Sequence, residues 1–136
     1  MEEKTDTYRK FTFPKTERLH SKKLIDALFL KGASFYLYPF SIRFMLADST
    51  VDTHQFMVSV SKRNFKRAVD RNRIKRLVRE AYRLHKHDLQ DLSVQGNHLL
   101  IAYIYTAKEI HTYNFIEKKL IGSFKRLKSK LIKDND

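Results

Sequence analysis

The spacing of hydrophobic positions changes along the chain, and each change marks an element. Between Ser21 and Gly32, the residues Leu24, Ile25, Leu28 and Phe29 recur at helical intervals, which predicts a short helix capped by the Ser21 hydroxyl. Gly32 is expected to end it in the left-handed conformation that glycine tolerates best. From Phe40 the period falls to two. Phe40, Ile42, Phe44 and Leu46 point one way, and Ser41, Arg43 and Met45 the other, as in a half-buried strand with Pro39 at its start. Phe56, Val58 and Val60 alternate in the same way with Met57, Ser59 and Ser61. The polar stretch from Asp48 to Thr53 connects the two runs, so an antiparallel hairpin is the expected pairing, with room for a further short strand in the first run.

A helical period returns over residues 68–86. Gln95-Gly96-Asn97 is a turn signal, and Leu99 to Tyr105 shows no polar alternation, which predicts a strand covered on both faces. A last helix is expected from near Thr112, with Ile116, Leu120, Phe124, Leu127 and Leu131 on one face. Its other face carries Lys118, Lys119, Lys125, Lys128 and Lys130. The order α-β-β-(β)-α-β-α reads as an α+β fold, a small mixed sheet packed by three helices in a two-layer sandwich.

Length and composition narrow this picture. The 136 residues, 42% of them hydrophobic, fit a single domain over 1–136, with loose ends expected at 1–10 and 134–136. Lys and Arg total 28 against 15 Asp and Glu, a formal net charge of +13. Such an excess repels itself in a compact chain and calls for a polyanionic partner, either nucleic acid or an anionic membrane surface. The chain has no cysteine, which excludes disulfides and thiolate metal sites. The polar N-terminus does not resemble a signal peptide, and the longest apolar run, Leu99 to Tyr105, is far short of the roughly 20 residues of a membrane span. A soluble cytoplasmic protein is expected.

Most of the charge that carries information lies between Lys62 and Arg83. On a helical wheel Ile74, Leu77, Val78, Ala81 and Tyr82 share one arc. Asn72, Lys75, Arg76, Arg79 and Arg83 share another, about 150° away, with Arg71 and Arg73 flanking it. One face is therefore core and the opposite face a cationic ridge. Arginine forks grip phosphate oxygens in pairs and stack on bases, while an asparagine among them both donates and accepts, as a 2′-hydroxyl or base edge requires. A basic amphipathic helix also suits a membrane surface or a partner protein, but here the apolar arc is aliphatic and modest, and the core needs it. Duplex DNA is a further possible target. However, a strand and not a helix precedes the basic helix, unlike helix-turn-helix docking.

Phe56-Met57-Val58-Ser59-Val60-Ser61-Lys62-Arg63, then Arg67-Ala68-Val69, then Arg71-Asn72-Arg73-Ile74-Lys75-Arg76-Leu77 resemble the signature of the bacterial ribonuclease P protein family. Thinner similarity extends over residues 13–131. The resemblance implies a sandwich with a left-handed crossover between parallel strands, and a protein that assists a catalytic RNA in removing the 5′ leader of precursor tRNA. Arg71, Asn72, Arg73, Lys75, Arg76 and Arg79, with Arg83 at the end of the ridge, would then contact the catalytic RNA. Lys62, Arg63, Lys66 and Arg67 would do the same or line its edge. The family usually has two aromatics on the first helix, facing a cleft for the leader. The second corresponds to Phe29, while the first falls at Ile25 or Leu24, a departure from the pattern. Phe44, Tyr36 and Tyr38 are candidates to compensate, although alternation favours a core position for Phe44. The remaining rival is a ribosome-assembly or RNA-chaperone protein with the same basic helix.

The six histidines form no convincing catalytic or metal-binding set. His85-Lys86-His87-Asp88 contains ligand types, but side chains two apart on a helix end diverge. No cofactor held by protein side chains is expected. Mg²⁺ is expected on the phosphates of the RNA partner, and the free protein is expected to be monomeric.

Overall fold

The computed structural model describes residues 12–47, 51–92 and 97–135, and the side chains of 91 and 133–135 lie outside the described residues. The expectations for residues 1–10, for Asp48 to Thr50 and for most of the 95–97 turn fall outside as well. The elements are α1 (Lys22–Lys31), β1 (Ala33–Leu37), β2 (Phe40–Leu46), β3 (Gln55–Val60), α2 (Ala68–His85), β4 (Leu99–Tyr105) and α3 (Tyr113–Asn135). Single 3₁₀ segments at Lys15–Glu17 and Lys86–Leu92 complete them. The helical backbone of α3 thus runs through two of the three C-terminal positions expected to be loose.

The sheet order is β1-β2-β4-β3, with β1–β2 and β2–β4 antiparallel and β3–β4 parallel. This corrects the expected hairpin. β2 turns back onto β1 through Tyr38 and the cis bond to Pro39, and β4 lies between β2 and β3. The physical reason lies in β4 itself. Six of its seven residues are buried, and only a central strand offers cover on both faces and partners on both edges.

The two faces of the sheet carry different loads. Phe40, Ile42 and Phe44 of β2, Phe56, Val58 and Val60 of β3, and Leu99, Ile101, Tyr103 and Tyr105 of β4 join the apolar faces of α2 and α3 in the main core. Leu100 and Ala102, on the opposite face, pack with Leu28 of α1 and with Leu19, Ala47 and Val51, while Leu24, Ile25, Met45 and Met57 close around them. The helix α1 covers only part of that face. Ser21 caps it, accepting from the Leu24 amide at 3.4 Å.

Gly32 departs from the sequence reading. Its backbone is extended (φ −69°, ψ 151°), not left-handed. Glycine is needed because a Cβ would collide with the Leu28 carbonyl, lie 2.9 Å from Leu28 Cδ1 and 3.2 Å from the Phe44 carbonyl. Crowding by the last turn of α1 itself, with the Phe44 carbonyl of β2 close behind, and not backbone handedness, excludes a side chain there.

His54 joins three segments. Its Nε2 donates to the Leu89 carbonyl at 2.7 Å, and its Nδ1 accepts from the Leu99 amide at 2.9 Å, an arrangement open only to the neutral ring. Burial lowers its proton affinity more than the Leu89 carbonyl raises it, and His98 adds to the lowering. A folded-state value below the unfolded one means that this stabilisation is complete above about pH 6.5 and is lost as pH falls below it. The loss is at most about 1.4 kcal/mol per pH unit. Chemical denaturation at pH 7.5 and pH 5 should show a smaller pH dependence for His54→Gln than for the wild type. Identical dependence in both would remove His54 from this role.

Candidate nucleic-acid interface

The basic segment begins in a loop that is anchored at several points. The Ser61 hydroxyl accepts from the amides of Arg63 (2.9 Å) and Asn64 (3.4 Å), and the Phe65 amide bonds the Ser61 carbonyl at 3.1 Å. The Phe65 ring is buried in the main core, 6.1 Å from the ring of Tyr105. Lys62, Arg63, Lys66 and Arg67 stay exposed on this fixed loop. Arg71 has a different position from its neighbours. It is half-buried, and its guanidinium donates to the carbonyls of Phe65 (2.8 Å) and Lys66 (2.9 Å), tying the loop to the first turn of α2.

α2 buries Ile74, Val78, Ala81 and Tyr82, with Leu77 packed at the core's edge. That orientation leaves Asn72, Arg73, Arg76 and Arg79 exposed and Lys75 half-exposed. Among the described residues, no carboxylate lies within ion-pair distance of Arg73, Lys75, Arg76 or Arg79. Partial burial, together with the nearby Arg18 guanidinium, pushes the Arg79 group below its ordinary value. Arg18 therefore adds a cation to the ridge from the segment that pairs with the edge of β3 at Phe56. Arg83 differs. Glu80 holds it through bonds of 3.1 and 2.5 Å, and that bond keeps the Glu80 carboxyl below the usual carboxylate range. The ridge is thus uncompensated from Asn72 to Arg79 and neutralised in part at Arg83.

The parallel pairing of β3 and β4 brings the loops that follow both strands to one end of the sheet. There an open cleft of about 580 Å³ is lined by Ser61, Arg63, Asn64 and Lys108. No local pattern marks Lys108, since only the strand pairing brings it beside residue 63.

A second candidate surface lies on the part of the sheet that α1 leaves open. Phe29 is 37% exposed, and the Arg43 guanidinium sits 5.2 Å from its ring centroid while donating to the Phe29 carbonyl at 3.2 Å. Ile25 is half-buried and packs into the smaller core cluster. Phe44 is corrected. Only 3% exposed, it packs edge-on to Phe35 in the main core and does not line this surface. Arg43 was missed as a site residue, yet the alternation that sends Phe44 inward places Arg43 on the α1 face. Tyr36 shares that face at the sheet's edge and is 54% exposed.

The rings of His54 and His98 meet edge-on, 5.3 Å between centroids. His85 bonds Glu117 of α3 at 3.0 Å, and His87 lies 3.4 Å from Asp88. Among the described residues, no group of three or more His, Asp or Glu is arranged to hold a metal ion. α2 follows a strand and a loop, so no helix precedes it in helix-turn-helix fashion.

The different placements of the two phenylalanines predict different stabilities. Phe44→Ala should cost about 3–5 kcal/mol in urea unfolding, as for truncation in a packed core, and Phe29→Ala about 1 kcal/mol or less. Equal losses would contradict these placements.

Comparison with known proteins agrees with this arrangement. The family model for ribonuclease P matches residues 13–128. A ribonuclease P protein component from Porphyromonas gingivalis is 38% identical over 119 residues, covering 86% of this chain and 87% of that protein. Another from Chlorobium phaeobacteroides is 39% identical over 101 residues, covering 67% and 69%. Among solved structures, the ribonuclease P protein of Staphylococcus aureus superposes with a TM-score of 0.64 at 25% identity, covering 82% of this chain and 95% of that one. The protein of Thermotoga maritima shares the fold with a TM-score of 0.66. The chain belongs to the ribonuclease P protein family.

Proposed function

We propose that this chain is the protein subunit of ribonuclease P, holding the catalytic RNA on the α2 ridge and the 5′ leader of precursor tRNA on the half-open sheet face. The observation that carries this reading is the row Asn72, Arg73, Arg76 and Arg79, exposed on a helix fixed by its buried face, without acidic partners among the described residues. Membership of the family supplies the reaction.

The chain's part is electrostatic and geometric. Each phosphate neutralised by an arginine releases condensed counterions, which provides affinity, and the fixed spacing along α2 favours a folded RNA of matching shape. Lys62, Arg63, Lys66 and Arg67 extend the same field from the anchored loop, and Arg71 acts mainly by holding that loop to the helix. On the other face, Phe29 offers a ring for base stacking and Arg43 a cation beside it. Hydrolysis is assigned to the RNA subunit, with Mg²⁺ on its phosphates; no proton transfer is assigned to a side chain of this protein.

Arg79→Ala should weaken binding to the catalytic RNA and reduce the slope of log affinity against log salt by about one. An unchanged slope with wild-type affinity would remove Arg79 from the interface. Adding the protein to the catalytic RNA at low Mg²⁺ should restore leader cleavage, and failure to stimulate it would contradict the function itself.

A further inference from the structure

At the end of the sheet where β1 turns into β2, three rings from separate segments come together outside both surfaces described above. Tyr38 lies in the turn, His111 in the loop after β4 and Phe115 in the first turn of α3. His111 stacks on Phe115 at 4.2 Å with the planes 22° apart, and Tyr38 stands edge-on to both, at 5.5 and 6.3 Å. The Tyr38 hydroxyl and His111 Nε2 are 2.9 Å apart, and Lys119 Nζ lies 5.5 Å from the Phe115 centroid. Glu109 is the acid of the group, 3.6 Å from His111 but 73% exposed.

Backbone contacts hold this cluster in place. The Tyr105 hydroxyl donates to the Glu109 carbonyl at 2.7 Å and accepts from the His111 amide at 3.2 Å. Thr106 bonds the Pro39 carbonyl through both its amide (2.8 Å) and its hydroxyl (3.1 Å). A cluster that served only to lock the loop would bury its rings. Tyr38 is instead 41% exposed, and its neighbour Tyr36, joined to Thr106 at 3.1 Å, is 54% exposed.

We propose that this platform, with Tyr38 as its open ring, is a stacking site for an unpaired nucleobase of single-stranded RNA. The chemistry selects that ligand over an apolar peptide. Two of the three rings, Tyr38 and His111, carry polar edges, a lysine lies beside Phe115, and the chain as a whole carries +13. Stacking on aromatics next to a cation tolerates any base. Fixing the rings beforehand reduces the ordering cost of binding.

The location specifies the strand, a step that rests on the proposed leader-binding role of the sheet face. Ser41 pairs with Tyr36 on one side and Ile104 on the other, one row beyond Arg43, and Thr106 continues that face toward the turn. At about 3.4 Å per residue, the turn lies on the order of 14 Å from Arg43 along β2. A leader leaving Phe29 and Arg43 in this direction reaches the platform a few nucleotides later.

The test uses the reconstituted holoenzyme and precursor tRNAs whose leaders grow one nucleotide at a time. Wild-type affinity should rise with leader length in two stages, and Tyr38→Ala should abolish the later one, a loss of about 5- to 140-fold on the long leaders. Tyr38→Phe, which keeps the ring but not the bond to His111, should retain it. If Tyr38→Ala keeps the later gain, or if Ala and Phe lose it equally, the platform is not a stacking site. A single early stage in the wild type would also overturn the proposal while leaving leader binding on the sheet face intact. No dependence on leader length at all would show instead that the leader-binding reading is wrong.

Discussion

The ring of Tyr82 lies parallel to that of Phe56, 4.0 Å between centroids and 8° between planes, with Phe13 and Phe124 set edge-on against it. This contact joins α2 to β3, to α3 and to the N-terminal segment at one point, and it determines which way α2 faces. A helix held there cannot roll without exposing Ile74, Val78 and Ala81, each of which is fully buried. Asn72, Arg73, Arg76 and Arg79 face outward as a consequence. The cationic ridge follows from the packing of the opposite face: the core binds no RNA, but it sets the geometry of the groups proposed to do so.

The same division recurs elsewhere in the chain. In β2, Phe40, Ile42 and Phe44 are buried while Ser41 and Arg43 face the side that α1 partly covers. In the loop after β3, buried Phe65 and the Arg71 latch hold a segment whose lysines and arginines remain in solvent. Each proposed contact surface is thus the reverse side of an apolar contact, so positioning is supplied by folding and not by binding.

Much of this was legible in the sequence because it depends on faces. Alternation placed β2 and β3 and pointed Phe44 inward; the helical period separated the two sides of α2; Ser21 capped α1 as expected. Partners were less legible. Period-two patterns say which way a side chain points but not which strand lies beside it, so β4 between β2 and β3 was missed, although its uniform apolarity fits a central position. Gly32 was correctly singled out for the wrong reason, since its constraint comes from the Leu28 carbonyl and side chain one turn earlier and from the Phe44 carbonyl, which only the folded chain brings near. Arg71 looked like its neighbours on the wheel, and its turn back toward the loop depends on carbonyls at Phe65 and Lys66. The contributions of Lys108 and of the His111 ring depend on strand pairing for the same reason.

The central claim is that the outward face of α2 lies against the catalytic RNA. The chain contains no cysteine, so a single one can be introduced at Asn72 and another at Asp26, exposed on α1, each carrying a tethered hydroxyl-radical source. Mapping the strand breaks in the catalytic RNA of the assembled particle tests the claim most directly. Strong, focused cleavage from position 72 and little from position 26 is the predicted result. Cleavage that is absent from 72, or no more focused there than from 26, would contradict it.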